Sequence, residues 1–197
     1  MKNKEMDVIF LLDRSGSMSN CVSDTIGGYN HYLEEQKKNK YNTKITTILF
    51  DDQYECLYKR TPIKNVKNLT NKEYFVRGCT ALYDAIGKTI NSLEKEINNN
   101  KVLFIITTDG LENASKEYHK EDIRKLIKKH NNWEFLYIGA EIDSYAEGSS
   151  LGLKESNIAN YEKSKSGITR LYSSICKASS NMMDNDSLSS SWKEELE

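Results

Sequence analysis

Val8-Ile9-Phe10-Leu11-Leu12 is an uninterrupted apolar run that stops at Asp13, and Val102-Leu103-Phe104-Ile105-Ile106 is a second that stops, two threonines later, at Asp109. A strand with one wet face alternates apolar and polar residues. Unbroken runs suit strands buried on both faces, as in a parallel sheet covered by helices. Each acid then falls at the carboxyl end of its strand, the edge at which doubly wound sheets bind ligands. Ser15 and Ser17 follow Asp13 at alternate positions, and Gly16 between them permits a tight turn. A carboxylate with two hydroxyls is an oxygen-only ligand set, suited to a hard cation: Mg²⁺ first, with Mn²⁺ or Ca²⁺ as competitors.

The segments between these runs alternate in period. Val22, Ile26, Tyr29 and Leu33 share one helical face. Gly27 and Gly28 weaken that helix, either for close packing on the sheet or as an irregularity, and Lys37, Lys38 and Lys40 suit its negative C-terminal end. Residues 44–50 read as a strand, and residues 54–58 follow too soon for a crossover, which predicts an antiparallel partner. Residues 59–77, with Pro62 and a turn near Leu69-Thr70, read as an irregular loop. Leu82, Ile86, Ile90, Leu93 and Ile97 mark the clearest helix, with Thr80 at or just before its first turn, where a capping hydroxyl is common. The strand at 101–108 leads to a helix with Ile123, Leu126 and Ile127 on its inner face, capped by Asn113 or Ser115. A strand at 133–140, a short helix at 142–151, an edge strand at 157–161 and a helix lined by Ile168, Leu171 and Ile175 complete the order. The fold class expected is α/β: a doubly wound, mostly parallel six-stranded sheet with one antiparallel edge strand and helices on both faces, a Rossmann-like three-layer sandwich. Residues 5–181 would form the domain and 182–197 a frayed polar tail, in which Trp192 has no assigned role.

Composition narrows the function. The 197 residues suit one domain, and a net charge of −1 gives no electrostatic case for nucleic acid. The four cysteines contain no C-x-x-C pair and read as free thiols, while His31, His119 and His130 stand alone as surface or helix-end residues. No apolar run is long enough to span a bilayer and no leader precedes the first strand, so a cytoplasmic location is expected. G-x-G-x-x-G and phosphate-cradling glycine loops are absent.

Asp13-Arg14-Ser15-Gly16-Ser17 resembles the Asp-x-Ser-x-Ser signature of von Willebrand factor type A (vWA) domains, part of their metal-ion-dependent adhesion site (MIDAS). Thr80, in a Gly-Cys-Thr-Ala-Leu setting, and Asp109, in Thr-Asp-Gly, match the family's distant Thr and Asp. The resemblance covers about residues 5 to 180 and implies a metal site made of Asp13, Ser15, Ser17, Thr80 and Asp109. The three hydroxyls would ligate the cation. The two carboxylates would act mostly through bound waters, with direct ligation open to either. It further implies recognition of a partner protein through that partner's Asp or Glu, with no nucleic acid and no membrane. The Thr-Asp-Gly-Leu-Glu-Asn segment is similar to bacterial stand-alone intracellular members, which occur in tellurite-type stress systems, phage-related loci and ATPase-linked assemblies. Asp51, Asp52, Asp84 and Glu112 would be solvated or would support the ligands from behind, Asp84 being the best placed of the four, and Arg14 would point to solvent. Two rival readings are a metal-dependent phosphoester hydrolase and a scaffold with a vestigial site. The first lacks a nearby His, a lysine tied to the motif by spacing, and an Asp-x-Asp pair.

Overall fold

A computed structural model describes residues 5–39, 41–98, 100–185 and 187–196. Lys40 and Asp186, which belong to the expected helix end and tail, lie outside the described residues. Six strands form one sheet in the order β3-β2-β1-β4-β5-β6. These are β1 (Glu5–Asp13), β2 (Asn42–Phe50), β3 (Tyr54–Pro62), β4 (Lys101–Thr108), β5 (Glu134–Gly139) and β6 (Ile158–Asn160). Only the β2–β3 pairing is antiparallel. The helices are α1 (Val22–Lys37), α2 (Leu82–Leu93), α3 (Lys120–Lys129), α4 (Ser144–Ser150) and α5 (Lys165–Asn185).

The two apolar runs pair directly, Val8 against Leu103 and Leu11 against Ile106. Their side chains alternate between two cores. Val8, Phe10, Leu12, Leu103 and Ile105 pack under α1 and α5, whereas Ile9, Leu11, Phe104 and Ile106 pack under α2, α3 and α4. Double burial is therefore the physical reason these strands carry no polar alternation. Tyr29 and Tyr32 of α1 both meet Phe10 edge-on, at centroid distances of 5.3 and 4.9 Å. Their hydroxyls are satisfied by Thr47 Oγ1 (2.6 Å) and Ser179 Oγ (3.0 Å). At Gly28 of α1 the α5 side chains come close: a Cβ there would lie 2.1 Å from the Tyr172 ring. Its small size serves helix–helix packing and not contact with the sheet.

The structure departs from expectation in three places. β3 continues to Pro62 through a bulge at Arg60, whose φ is 43°, so the first residues of the expected loop belong to the sheet. Pro62 is tolerated because β3 is an edge strand. α3 begins after His119, whose backbone N–H donates to Asp122 Oδ2 at 3.0 Å, and not at Asn113 or Ser115. The expected frayed tail is ordered where described: α5 runs on to Asn185, and Trp192 is fully buried, its indole N–H donating to Ser156 O at 2.8 Å. A tryptophan buries enough apolar area to hold down an otherwise polar segment.

Candidate metal centre

The chain proceeds outward from β1 to β2 and β3, then returns to β4 on the other side of β1 and continues to β5 and β6. The order reverses between β1 and β4, which places Asp13 and Asp109 at the switch-point crevice. Asp13, at the end of β1, is fully buried. Its Oδ1 accepts the Ser15 N–H at 2.7 Å, and its Oδ2 accepts the Thr108 hydroxyl of β4 at 2.6 Å. Burial pushes the Asp13 carboxyl up to about 6, against the opposing effect of the Thr108 and Ser15 hydrogen bonds. Thr108, 95 residues away in sequence, therefore fixes the rotamer of Asp13.

The 3-10 turn Gly16–Cys21, with Ser15 at its N-cap and Ser17 within it, sets the two serines over the crevice. Ser15 Oγ and Ser17 Oγ are 3.1 Å apart, and the Ser17 hydroxyl donates to Asp109 Oδ1 at 2.5 Å. Thr80 arrives from the segment before α2 and does not cap that helix; the cap position is Ala81. Its backbone is strapped to the loop after Asp109: Thr80 N–H donates to Asn113 Oδ1 (2.9 Å), and Thr80 O accepts from Asn113 N and Ala114 N. A Cβ built on Gly110 would stand 2.9 Å from Thr80 Oγ1 and 3.6 Å from Ser17 Oγ, so glycine keeps open the space onto which both hydroxyls face. Gly78 has φ +64°, and a Cβ there would collide with Asp52 Oδ1 at 2.2 Å. Its carbonyl accepts the Gly16 N–H at 3.2 Å, which ties the Thr80 segment to the serine turn.

All five expected residues, Asp13, Ser15, Ser17, Thr80 and Asp109, thus meet at one edge. Of the four nearby acids Asp52 is exposed, whereas the other three are taken up in hydrogen bonds. Asp51 is buried and accepts Arg14 Nε at 3.0 Å and Arg77 Nε at 2.7 Å. Asp84 accepts backbone N–H groups of Lys116, Glu117 and Tyr118, and these three bonds outweigh burial and hold its carboxyl below the usual range. Glu112 accepts from Tyr83 N, Ala114 N and Ser115 N. These acids brace the loops around the five residues. Arg14, expected in solvent, is fully buried, with its guanidinium also on Glu55 at 2.7 Å. Its cost of burial is offset by two carboxylates and by the Phe75 ring, whose centroid is 5.5 Å away.

Three residues at the site give no sequence signal. Thr108 orients Asp13, and Tyr74 OH donates to Asp13 O at 2.5 Å. Lys163, between β6 and α5, places its ammonium 2.5 Å from Asp109 Oδ2 and 2.7 Å from Ser17 O. No spacing relates residue 163 to residue 13, so only the fold brings them together.

The donor set fits a hard divalent cation: two carboxylates and three hydroxyls around a space that a single Cβ would invade. Among the described residues no group of three or more His, Cys, Asp and Glu side chains gathers to hold a metal ion, so a cation here would rest on the two carboxylates together with the three hydroxyls. Among the described residues, too, no helix is long and apolar enough to cross a membrane.

No protein-family model and no curated protein sequence matches the chain. Solved structures do. Proximal thread matrix protein 1 from the mussel byssus, in a form with a zinc-occupied MIDAS motif, is 16% identical with a TM-score of 0.64, over 90% of this chain and 46% of that one. A mutant of the PilB minor pilin from Streptococcus sanguinis is 10% identical with a TM-score of 0.68, over 88% and 61%. A von Willebrand factor type A protein from Catenulispora acidiphila is 12% identical with a TM-score of 0.65, over 90% and 43%. This chain therefore spans a little under half the length of the mussel protein.

Proposed function

From a chain with the von Willebrand factor type A fold, we propose a metal-dependent protein-interaction module and not an enzyme. The observation that carries this reading is the convergence of Ser15, Ser17 and Thr80 with Asp13 and Asp109 around the space beside Gly110. Ser15, Ser17 and Thr80 would hold Mg²⁺ through hydroxyl oxygens, while Asp13 and Asp109 supply negative charge directly or through water. When bound, the cation supplies an electrophilic point for an incoming carboxylate.

The surroundings fit a partner segment in which an acidic residue is flanked by apolar ones. Phe75 and Leu111 are the exposed large hydrophobic residues among those described, 42% and 53% exposed. Phe75 lies over Arg14 on the β2 side of the serine turn, and Leu111 is two residues beyond Asp109 on the other side. Arg77, with its guanidinium 5.4 Å from the Phe75 ring centroid and paired to Asp51 at 2.7 Å, borders the same rim. The setting we propose, on the resemblance of the motif segments, is a bacterial cytoplasmic assembly of the stress-response, phage-related or ATPase-linked kind.

Titration with Mg²⁺ and Mn²⁺, read by thermal unfolding, tests the site. A ligand that binds only the native state stabilises it by about 2.7 kcal/mol at a concentration 100 times its Kd. The wild-type midpoint should climb with metal, and Asp109→Ala should abolish the increment. A flat response at millimolar metal, in wild type and in Lys163→Met alike, would sink the reading.

A further inference from the structure

The metal site already contains a cation. Lys163 Nζ approaches Asp109 Oδ2 (2.5 Å), Ser17 O (2.7 Å) and Glu141 Oε2 (3.2 Å). An ammonium group has three N–H donors, and here each has an oxygen within reach. Two of the three partners belong to proposed ligand residues, and the Lys163 side chain is only 10% exposed. The charge is therefore held in place, unlike that of a surface lysine that happens to lie nearby.

Resting on the metal-site reading above, we propose that Lys163 is a built-in counter-cation that competes with the divalent ion for Asp109. Asp109 turns one oxygen to the Ser17 hydroxyl and the other to Lys163. A fixed positive charge within a few ångströms of a binding space weakens every cation that enters it, and partial burial limits the screening that water would provide. The same charge relieves repulsion between Asp109 and Asp13 when no metal is bound. A bound divalent ion is consequently left with more uncompensated positive charge than the two aspartates alone would leave, which favours an anionic partner as the group that completes the site. Occupancy and docking thereby become mutually dependent.

Calorimetric titration of Mn²⁺ and Mg²⁺ into wild type, Lys163→Met and Lys163→Arg, at one pH and ionic strength, tests this directly. Lys163→Met should bind metal about tenfold tighter or more, and Lys163→Arg should stay within about threefold of wild type. Equal or weaker binding by Lys163→Met overturns the proposal. So does equal tightening by Lys163→Arg, since that would make side-chain shape and not charge the cause. Should Lys163→Met fail to fold, as judged by its metal-free unfolding transition, Lys163→Gln carries the same expectation and the same refutation. The two readings fail distinguishably. If wild type binds metal and the neutral variant gains nothing, only the competition is wrong. If neither wild type nor the neutral variant binds at millimolar metal, the metal site itself is wrong and the competition falls with it.

Discussion

Asp13 carries a cost that the metal-free protein bears for its site. Its carboxyl is raised to about 6 from a reference of 3.8, chiefly by burial. Between those values the folded chain holds a proton that the unfolded chain has released. Stability of the metal-free protein therefore falls as pH rises from about 4 to about 6, by up to about 3 kcal/mol, and stays at the lower value above that window. The Asp13→Asn substitution exchanges the charge for a neutral amide of the same shape. Its carbonyl could still accept the Ser15 N–H, and its NH₂ could donate to Thr108 Oγ1, whose own proton can turn to Gly110 O, 3.0 Å away. Asp13→Asn is thus expected to raise the metal-free midpoint at pH 7.5 while abolishing its increase with Mg²⁺. A lower metal-free midpoint in chemical or thermal denaturation would show that the buried charge is not costly. For the same reason wild-type metal affinity should weaken at pH 5.5 relative to 7.5, because the proton on Asp13 must leave first.

At the scale of the element, what the sequence discloses depends on whether a signal is local. β1 and β4 are legible because double burial writes an unbroken apolar run, and the antiparallel β3 because its connection is too short for a crossover. Arg14 misleads because a charged residue in a polar turn looks solvated; its partners Asp51 and Glu55 lie 37 and 41 residues away. Lys163 is hidden for the same reason, as is the anchoring of Trp192. The paired glycines of α1 stand out in the sequence, but their roles are not separable without α5. A Cβ at Gly28 meets the Tyr172 ring at 2.1 Å, whereas a Cβ at Gly27 meets nothing within 4 Å. Gly28→Ala should therefore destabilise by about 1–3 kcal/mol through overpacking. Gly27→Ala should stabilise by about 0.5–1 kcal/mol, since it only removes backbone freedom from a helical position with open space beside it. Urea unfolding of the two single variants decides this, and equal effects would mean that α1 and α5 do not pack as closely as they do here.

For the whole molecule, the five proposed ligand residues are set by topology more than by any one segment. Ser17 and Asp109 are 92 residues apart, and Asp13 is oriented by a threonine 95 residues away. Their proximity requires that β1 and β4 be paired in register, a long-range parallel contact that must close over the intervening chain at an entropic cost. The motif is legible from sequence, whereas its closure through Thr108 and Lys163 is not, because closure is a property of the finished sheet. It also has a consequence in time. An ion with no affinity for the chain before β1 and β4 meet cannot hasten their meeting; it can only delay their separation. In stopped-flow experiments Mg²⁺ should leave the refolding rate nearly unchanged and slow unfolding by almost the full equilibrium factor, and faster refolding would place the site in the folding nucleus. On this account the metal governs how long the assembled protein persists and has little influence on how soon it appears.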